Sequence, residues 1–179
     1  MPTNVEIKAV VADLPALRRR VERISDTPGE EIYQEDTFFV VSHGRLKLRV
    51  LFPERGELIY YERTDARDPK PSFYLISRTS DPASLHAILA ASLGIIGRVR
   101  KHRTLYLVGK TRVHLDEVEK LGTYMELEVV LGAGESTKEA DEIARAIMNK
   151  LRIDPSDLVR GAYVDLINAA EKAEAGGDQ

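Results

Sequence analysis

The sequence predicts an α+β fold in which an antiparallel sheet of about eight strands closes into a barrel and the helices pack outside. Short runs of alternating polar and apolar residues follow one another from the N-terminus, and most are separated by turns of hairpin length. Helical patterns interrupt this series of strands twice, and helical patterns follow the last strand in the C-terminal part of the chain. Closure into a barrel is favoured because it leaves no strand edge exposed.

Length and composition limit what the chain can be. The 179 residues, 43% of them hydrophobic, suit one domain, expected over residues 1–170, with a disordered tail at 171–179. The net charge of −3 gives no reason to expect nucleic-acid binding, and the absence of cysteine excludes disulfides, zinc–thiolate sites and cysteine nucleophiles. We expect a cytoplasmic protein without membrane contact, because no signal-peptide pattern and no apolar run of about 20 residues is found.

Periodicity and capping residues place the elements along the chain. Alternation predicts strands at residues 5–12, 31–41, 45–52, 57–64, 72–78 and 95–108 and in both arms of a hairpin at 111–131. Helical stripes predict helices at residues 14–24, 82–93, 137–151 and 161–173, with a short helical turn at 154–155. Asp13 and Asp81 are expected to cap the first two helices, and Ser136 with Glu139 resembles a capping box.

The hairpin at residues 111–131 carries the most informative pattern. Its second arm has a complete apolar side, so Glu126 and Glu128 point either to solvent or into a second, polar space. Across the hairpin they face Arg112 and Asp116, which share one side of the first arm. Carboxylates beside a cation suit Mg²⁺ or Mn²⁺ with a phosphate substrate. On the hairpin alone, the alternative of a charged face in water is favoured.

Each predicted strand presents a charged row of one parity. The rows are Glu6 and Lys8, then Arg45, Lys47 and Arg49, then Tyr61 and Arg63, then Lys101 and Arg103. Cations predominate on the early strands, and carboxylates predominate on the last. Charged rows that all faced bulk water would not need to be separated by sign in this way. Rows that face inward would line a water-filled tunnel, with a basic wall for a polyanion and carboxylates for a divalent metal. Asp36 is interpreted as a further inward acid.

Four stretches of the sequence resemble the CYTH family, also called the triphosphate tunnel metalloenzymes. They are VEIK at 5–8, KLR at 47–49, KHR at 101–103 and HLDEVEKLGTYMELEVVL at 114–131. The ordered set is specific, above all the spacing from Asp116 to Glu126 and Glu128. Within the family, DTFF, LIYYERTD and RGAYVDLI look like the class IV adenylyl cyclase-like branch, and the resemblance runs over residues 4–167.

The resemblance implies a closed tunnel that binds a triphosphate together with Mg²⁺ or Mn²⁺. It implies catalytic and metal-ligating roles for Glu6, Asp116, Glu126 and Glu128. It implies phosphate binding by Lys8, Lys47, Arg49, Arg63, Lys101, Arg103 and Arg112. One position departs from the family's Glu-x-Glu-x-Lys motif, because Asn4 stands where the first Glu is expected. A neutral amide oxygen in place of a carboxylate implies a weaker metal site.

The activity implied by the branch is that of a class IV adenylyl cyclase-like enzyme, which converts ATP to cyclic AMP and pyrophosphate. A triphosphatase acting on tripolyphosphate, nucleoside triphosphates or thiamine triphosphate is the second interpretation. A non-catalytic nucleotide- or polyphosphate-binding protein is the third, which Asn4 keeps open. The expected partner is a triphosphate small molecule, ATP or inorganic tripolyphosphate, and a homodimer is left open. His114 is expected to form a hydrogen bond on the tunnel wall rather than to act as a base.

Overall fold

The computed structural model describes residues 3–52, 55–62, 73–132 and 134–176. Within these ranges the strands are β1 Thr3–Val10, β2 Glu30–Phe39, β3 Arg45–Leu51, β4 Arg55–Glu62, β5 Phe73–Thr79, β6 Ile95–Val108, β7 Thr111–Val118 and β8 Gly122–Leu131. The helices are α1 Leu14–Glu22, α2 Pro82–Leu93, α3 Thr137–Leu151 and α4 Tyr163–Gly176, with a 3₁₀ turn at Pro155–Asp157. The order of strands and helices predicted from periodicity is confirmed, and their ends differ by a few residues.

The strands belong to one antiparallel sheet with the order β1-β8-β7-β6-β2-β3-β4-β5. The pairing of β2 with β6 joins the β2–β5 strands to the β6–β8 strands. The sheet curls into a half-barrel with β1 and β5 at its two edges. The described residues show no pairing between these edges, so closure into a complete tunnel stays a prediction.

Strand register puts the predicted charged rows on one side of this sheet. Residues directly opposite each other in neighbouring antiparallel strands share a face. Lys8 lies opposite Glu126, Arg103 opposite Asp116, and Asp36 opposite Arg49. Alternation carries further residues to this side, which we call the inner face: Asn4, Glu6, Lys47, Lys101, Arg112, His114 and Glu128. Arg63 lies outside the described residues.

The opposite, outer face of the sheet holds the main hydrophobic core. Apolar residues of β7 and β8 pack there against α1 and α3, and the buried members include Leu17, Val21, Val113, Leu115, Met125, Leu127, Ile147 and Leu151. Asp13 caps α1 by accepting a hydrogen bond from the backbone of Ala16, and Ser136 and Glu139 form the predicted capping box of α3. These two helices therefore begin where the sequence predicts and cover the apolar side of the sheet.

The last helix departs from the prediction that the helices lie outside. Leu158 pairs with Ala9 at the edge of β1, and the backbone N–H of Val159 donates to the carbonyl of Lys8 at 2.9 Å. The chain then turns at Gly161, whose φ of +94° favours glycine, and enters the concavity of the sheet. The part of the inner face that α4 contacts is apolar, and we call it the apolar end. Its residues Phe38, Val99, Val118 and Tyr124 pack there with four residues of the C-terminal segment: Ala162, Tyr163, Val164 and Ile167.

Helix α4 also extends three residues beyond the helix predicted at 161–173. It runs to Gly176, so residues 171–176 of the segment expected to be a disordered tail are helical, and residues 177–179 lie outside the described ranges. Ala, Glu and Lys fill most of this stretch and are strong helix formers. Lys120 Nζ, in the turn between β7 and β8, lies 2.8 Å from Glu171 and ties the helix to the sheet. None of the described helices has the length and apolar content needed to cross a bilayer.

Candidate functional site

Asp116, in β7, is the centre of a buried cluster of ion pairs on the inner face. Arg103 of β6 donates from Nε and Nη2 to its two oxygens, each at 2.6 Å, and Lys101 Nζ lies 3.4 Å from Oδ2. Burial alone would raise the pKa of Asp116, but the charges of Lys101 and Arg103 outweigh burial and lower the pKa below its usual value. The carboxyl group is therefore ionised at neutral pH.

Glu126, on the neighbouring strand β8, extends this cluster toward β1. Arg103 Nη2 reaches one of its oxygens at 2.6 Å, and Lys8 Nζ lies 3.2 Å from the other. Burial opposes ionisation, but the charges of Lys101 and Arg103 lower the pKa of Glu126 well below its usual value. His114 Nδ1 stands 3.7 Å from Glu126, and burial together with the charge of Arg103 lowers the pKa of His114. His114 is therefore mainly neutral at pH 7, and its Nδ1 has no hydrogen-bond partner among the described residues, so its hydrogen bond on the tunnel wall stays a prediction.

A second cluster of ion pairs lies further round the sheet, on β2 and β3. Lys47 Nζ is 2.8 Å from Asp36 Oδ2, and Arg49 donates to Asp36 from Nε and Nη2 at 2.9 and 3.0 Å. The interpretation of Asp36 as an inward acid is confirmed, since its buried carboxylate lies between these two cations. Burial would raise the pKa of Asp36, but Arg49 and Lys47 lower it far below the usual range. Burial and repulsion from Arg49 lower the pKa of Lys47 to about 8.

A third group of polar side chains surrounds Glu128 near the β1 edge. Arg112 Nη1 is 3.3 Å from one oxygen of Glu128, and the side-chain amide of Asn4 donates to the other. Glu6 lies directly opposite Glu128 in the strand register. The side-chain oxygen of Asn4 is buried and accepts no hydrogen bond from the described residues. The position that departs from the family motif is therefore filled by a donor to Glu128, where another carboxylate would repel it.

The donor chemistry of this region fits a hard divalent cation. Carboxylates line the inner face from β7 to β1, and the unpaired Asn4 oxygen adds a neutral ligand of the kind that Mg²⁺ and Mn²⁺ accept. No three His, Asp or Glu side chains of the described residues converge closely enough to form a ready-made metal site. Lysine and arginine instead hold the acids of the buried cluster. A metal bound by these acids would therefore have to replace a lysine or arginine side chain.

The structure brings most of the predicted site residues together. The first buried cluster holds Lys8, Lys101, Arg103, Asp116 and Glu126, and the second holds Lys47 and Arg49 around Asp36. Three others lie nearer the β1 edge: Glu6, Arg112 and Glu128. Arg63, also predicted to bind phosphate, is outside the described residues. The roles of all these side chains in catalysis, metal binding and phosphate binding stay predictions.

One residue of the site, Tyr163, is not predicted by the sequence pattern. Its hydroxyl donates to Asp116 Oδ2 at 2.9 Å, and Lys8 Nζ and Lys101 Nζ lie 4.0 and 4.9 Å from the centre of its ring. The pattern AYVDLI predicts an apolar helical stripe, which is correct but does not show that the tyrosine reaches the ion pairs. The one signal in the sequence is that a buried tyrosine needs a partner for its hydroxyl.

Comparison with known proteins identifies the family. A family profile described as CYTH domain matches residues 2–163, nearly the whole chain. The chain belongs to the CYTH domain family. No curated protein matches the sequence at a significant level.

Solved structures confirm the fold of this CYTH chain. The PH1012 protein of Pyrococcus horikoshii is 23% identical with a TM-score of 0.80, and the match covers 92% of this chain and 99% of that one. A Vibrio parahaemolyticus protein provisionally named an adenylate cyclase is 18% identical, with a TM-score of 0.73 and coverage of 93% and 98%. HpAC1 of Hippeastrum, for which a dominant triphosphatase activity is described, is 13% identical, with a TM-score of 0.67 and coverage of 95% and 96%. At these identities the likeness shows the fold alone.

Replacing Asp36 with Asn is expected to destabilise the fold by about 3–5 kcal/mol at neutral pH, because Lys47 and Arg49 lose their buried counter-charge. The stabilisation from Asp36 is present above the unfolded-state pKa of about 3.9 and is lost as the pH falls toward the lower folded-state pKa. The variant should therefore lose less stability than the wild type on acidification. Urea unfolding at a series of pH values measures both effects.

Asp141→Asn is the matched control for this experiment, because Asp141 pairs with Arg145 at 2.7 Å on the exposed side of α3. This exposed pair is expected to contribute less than about 0.5 kcal/mol. Equal losses of stability in the two variants would contradict the view that the buried carboxylate of Asp36 neutralises two partly buried cations.

Proposed function

We propose that the chain is a divalent-metal-dependent enzyme that binds a triphosphate on its inner face, closed around it as a tunnel, and cleaves it. The observation that carries the proposal is the convergence of cations from three strands on one face, each within ion-pair distance of a buried acid: Lys8, Lys47, Arg49, Lys101 and Arg103. Lysine and arginine are seldom buried unless they are paired, and clusters of perturbed ionisable groups concentrate at functional sites. Membership of the CYTH domain family supports the same conclusion.

The charge balance of the inner face explains why a metal is needed. In the structure the five cations share three acids, Asp36, Asp116 and Glu126, so a large part of their charge is already neutralised. A triphosphate would meet Asp116 and Glu126 as well as the cations, and this repulsion opposes binding. A divalent metal held by Asp116, Glu126 and Glu128 would neutralise these acids and polarise phosphate oxygens. Lys101 and Arg103 could then turn from the acids to the phosphate chain.

Hydrolysis is the reaction that the geometry favours. Water attacks the terminal phosphorus, the bond from that phosphorus to its bridging oxygen breaks, and lysine and arginine side chains stabilise the charge on the shorter phosphate chain that leaves. A cyclase must also hold a nucleobase, which needs apolar or aromatic contacts. The apolar end of the inner face is filled by Tyr163 and Val164 of α4 in the described structure. This packing supports a triphosphatase, with inorganic tripolyphosphate as the simplest substrate.

Cyclisation of ATP is the second candidate, and the sequence favours it. Residues 58–65 and 160–167 look like the class IV adenylyl cyclase-like branch. In this reaction the ribose 3′-hydroxyl attacks the α-phosphorus, and pyrophosphate leaves in contact with the basic side chains. Both reactions use the same cations and acids, and they differ in the group that stands beside the reacting phosphorus.

Product analysis with tripolyphosphate and ATP, each with Mg²⁺ and with Mn²⁺, tests the proposal. We expect orthophosphate from both substrates, because hydrolysis removes the terminal phosphoryl group. Cyclic AMP with pyrophosphate would identify the cyclase instead. Binding of both compounds without turnover would reject an enzyme and leave a triphosphate-binding protein.

Glu126→Gln is expected to lower turnover by about 100-fold, because it removes an acid that the proposal assigns to the metal. Glu142→Gln, on the exposed side of α3, is the control and should keep wild-type turnover. Comparable turnover in the two variants at saturating Mn²⁺ would contradict the proposed metal site.

Arg112→Gln is expected to weaken tripolyphosphate binding by about tenfold, since a charge-assisted hydrogen bond to phosphate contributes about 1.5 kcal/mol or more. Arg145→Gln is the matched control for Arg112→Gln. Both arginines are well exposed, and each pairs with one acid: Arg112 with Glu128, and Arg145 with Asp141. Arg145 lies on α3, away from the inner face, so its loss should leave the affinity unchanged. Calorimetric titration at one ionic strength compares them, and equal losses would indicate a general charge effect.

Lys47 gives the proposed site a pH dependence. Its pKa of about 8 means that the side chain carries its charge below this pH and loses it above, so tripolyphosphate affinity should fall as the pH rises from about 7 to about 9. Lys47→Arg keeps its charge over this range and should keep more of its affinity at the alkaline end. The ratio of the two affinities cancels the ionisation of the phosphate itself. A ratio that does not change with pH would contradict this role of Lys47.

A further inference from the structure

The first residue of α4, Tyr163, places a neutral side chain in the buried ion-pair cluster. Hydrogen bonds to residues on either side of Tyr163 fix the path of the chain there. Lys8 Nζ donates to the carbonyl of Gly161 at 2.9 Å, and Arg45 of β3 donates two hydrogen bonds to Asp165 at 3.1 and 2.8 Å. The Tyr163 side chain is 5% exposed and contacts Tyr124 edge to face at 5.2 Å. The ring therefore has a fixed position between β1 and β6.

The hydroxyl of Tyr163 is hydrogen-bonded to the carboxylate of Asp116. It donates to Oδ2 at 2.9 Å, an oxygen that also accepts from Arg103 Nη2 and lies 3.4 Å from Lys101 Nζ. When those two cations turn to a phosphate chain, the tyrosine is the donor that stays on the carboxylate. Burial and the nearby acids, Glu126 first, raise the pKa of Tyr163, so its hydroxyl keeps the proton it donates.

The aromatic ring of Tyr163 contacts the ammonium groups of two lysines, which come from strands that are not neighbours in the sheet. Lys8 of β1 and Lys101 of β6 lie 4.0 and 4.9 Å from the ring centre, within the range of a cation–π interaction. Two strands, β8 and β7, separate β1 from β6 in the sheet order. The ring is thus a common surface that sets where both ammonium groups stand.

We propose that Tyr163 is a positioning residue with two separable effects: its hydroxyl orients Asp116 for the metal, and its ring orients Lys8 and Lys101 for the triphosphate. The inference rests on the proposed function, because it assigns Asp116 to metal and the two lysines to phosphate. A tyrosine with only a structural role would affect both ligands alike, through the stability of the fold.

Two substitutions separate the effects. Tyr163→Phe removes the hydroxyl and keeps the ring, so Mn²⁺ affinity should fall by about three- to tenfold while tripolyphosphate affinity at saturating Mn²⁺ changes less than about twofold. Tyr163→Leu removes both, so tripolyphosphate affinity should also fall, by about five- to tenfold. Calorimetry gives both affinities without reference to turnover. Tyr163→Met replaces the leucine variant if that one does not fold, as judged by thermal unfolding.

Tyr106→Phe is the matched control, since Tyr106 is also buried and its hydroxyl also contacts a carboxylate, Glu22 at 3.2 Å, but on the outer face. It should bind Mn²⁺ and tripolyphosphate as the wild type does. The inference is overturned if Tyr163→Phe matches this control for Mn²⁺, or if it weakens both ligands equally. A wild-type chain that binds neither ligand would overturn the proposed function, and this inference with it.

Discussion

The bridge that Arg103 makes between Asp116 and Glu126 is the interaction on which the inner face depends. One guanidinium group donates three hydrogen bonds at 2.6 Å to acids on two different strands. A buried ion costs several kcal/mol in lost hydration, which is offset only where every partner is in place. The planar, forked shape of arginine allows this double contact, and lysine cannot reproduce it. The register of β6, β7 and β8 is therefore tied to this bridge, because a shift by one residue would move each of its members to the apolar side.

The acids and cations that pair in the structure are the ones that the proposed ligands would contact, so binding would be an exchange of partners. An acid that bound the metal would release a lysine or arginine, and the released cation would then contact the phosphate chain. The net affinity would be a small difference between two well-paired arrangements, so neither metal nor triphosphate alone would gain the full set of contacts. Helix α4 stabilises the fold by covering the apolar end of the inner face, where Phe38 and Val99 would otherwise meet water.

Period-two alternation was enough to predict which side chains share the inner face, because parity along a strand is a local property of the backbone. It separated Glu126 and Glu128 from the apolar side of β8. The capping roles of Asp13 and Ser136 could also be predicted from the sequence, since a cap acts within one helical turn. The position of α4 could not be predicted in this way. Its apolar stripe fits either face of a sheet, and the choice depends on the apolar end of the inner face, formed by residues far apart in sequence. The contact of Tyr163 with Asp116 escaped prediction for the same reason.

Asn4 shows how a single departure from the family motif alters the balance between the two states. In the structure its amide donates to Glu128, whereas a carboxylate at that position would repel Glu128, and a bound metal would relieve that repulsion. The amide therefore stabilises the observed arrangement and would withhold one negative charge from a bound metal. In the proposed enzyme both effects would lower the affinity for metal alone. To use its unpaired side-chain oxygen as a ligand, Asn4 must also rotate its amide and give up the hydrogen bond to Glu128. In the proposed enzyme, metal retention then depends on the arriving triphosphate, whose oxygens supply the charge that position 4 lacks.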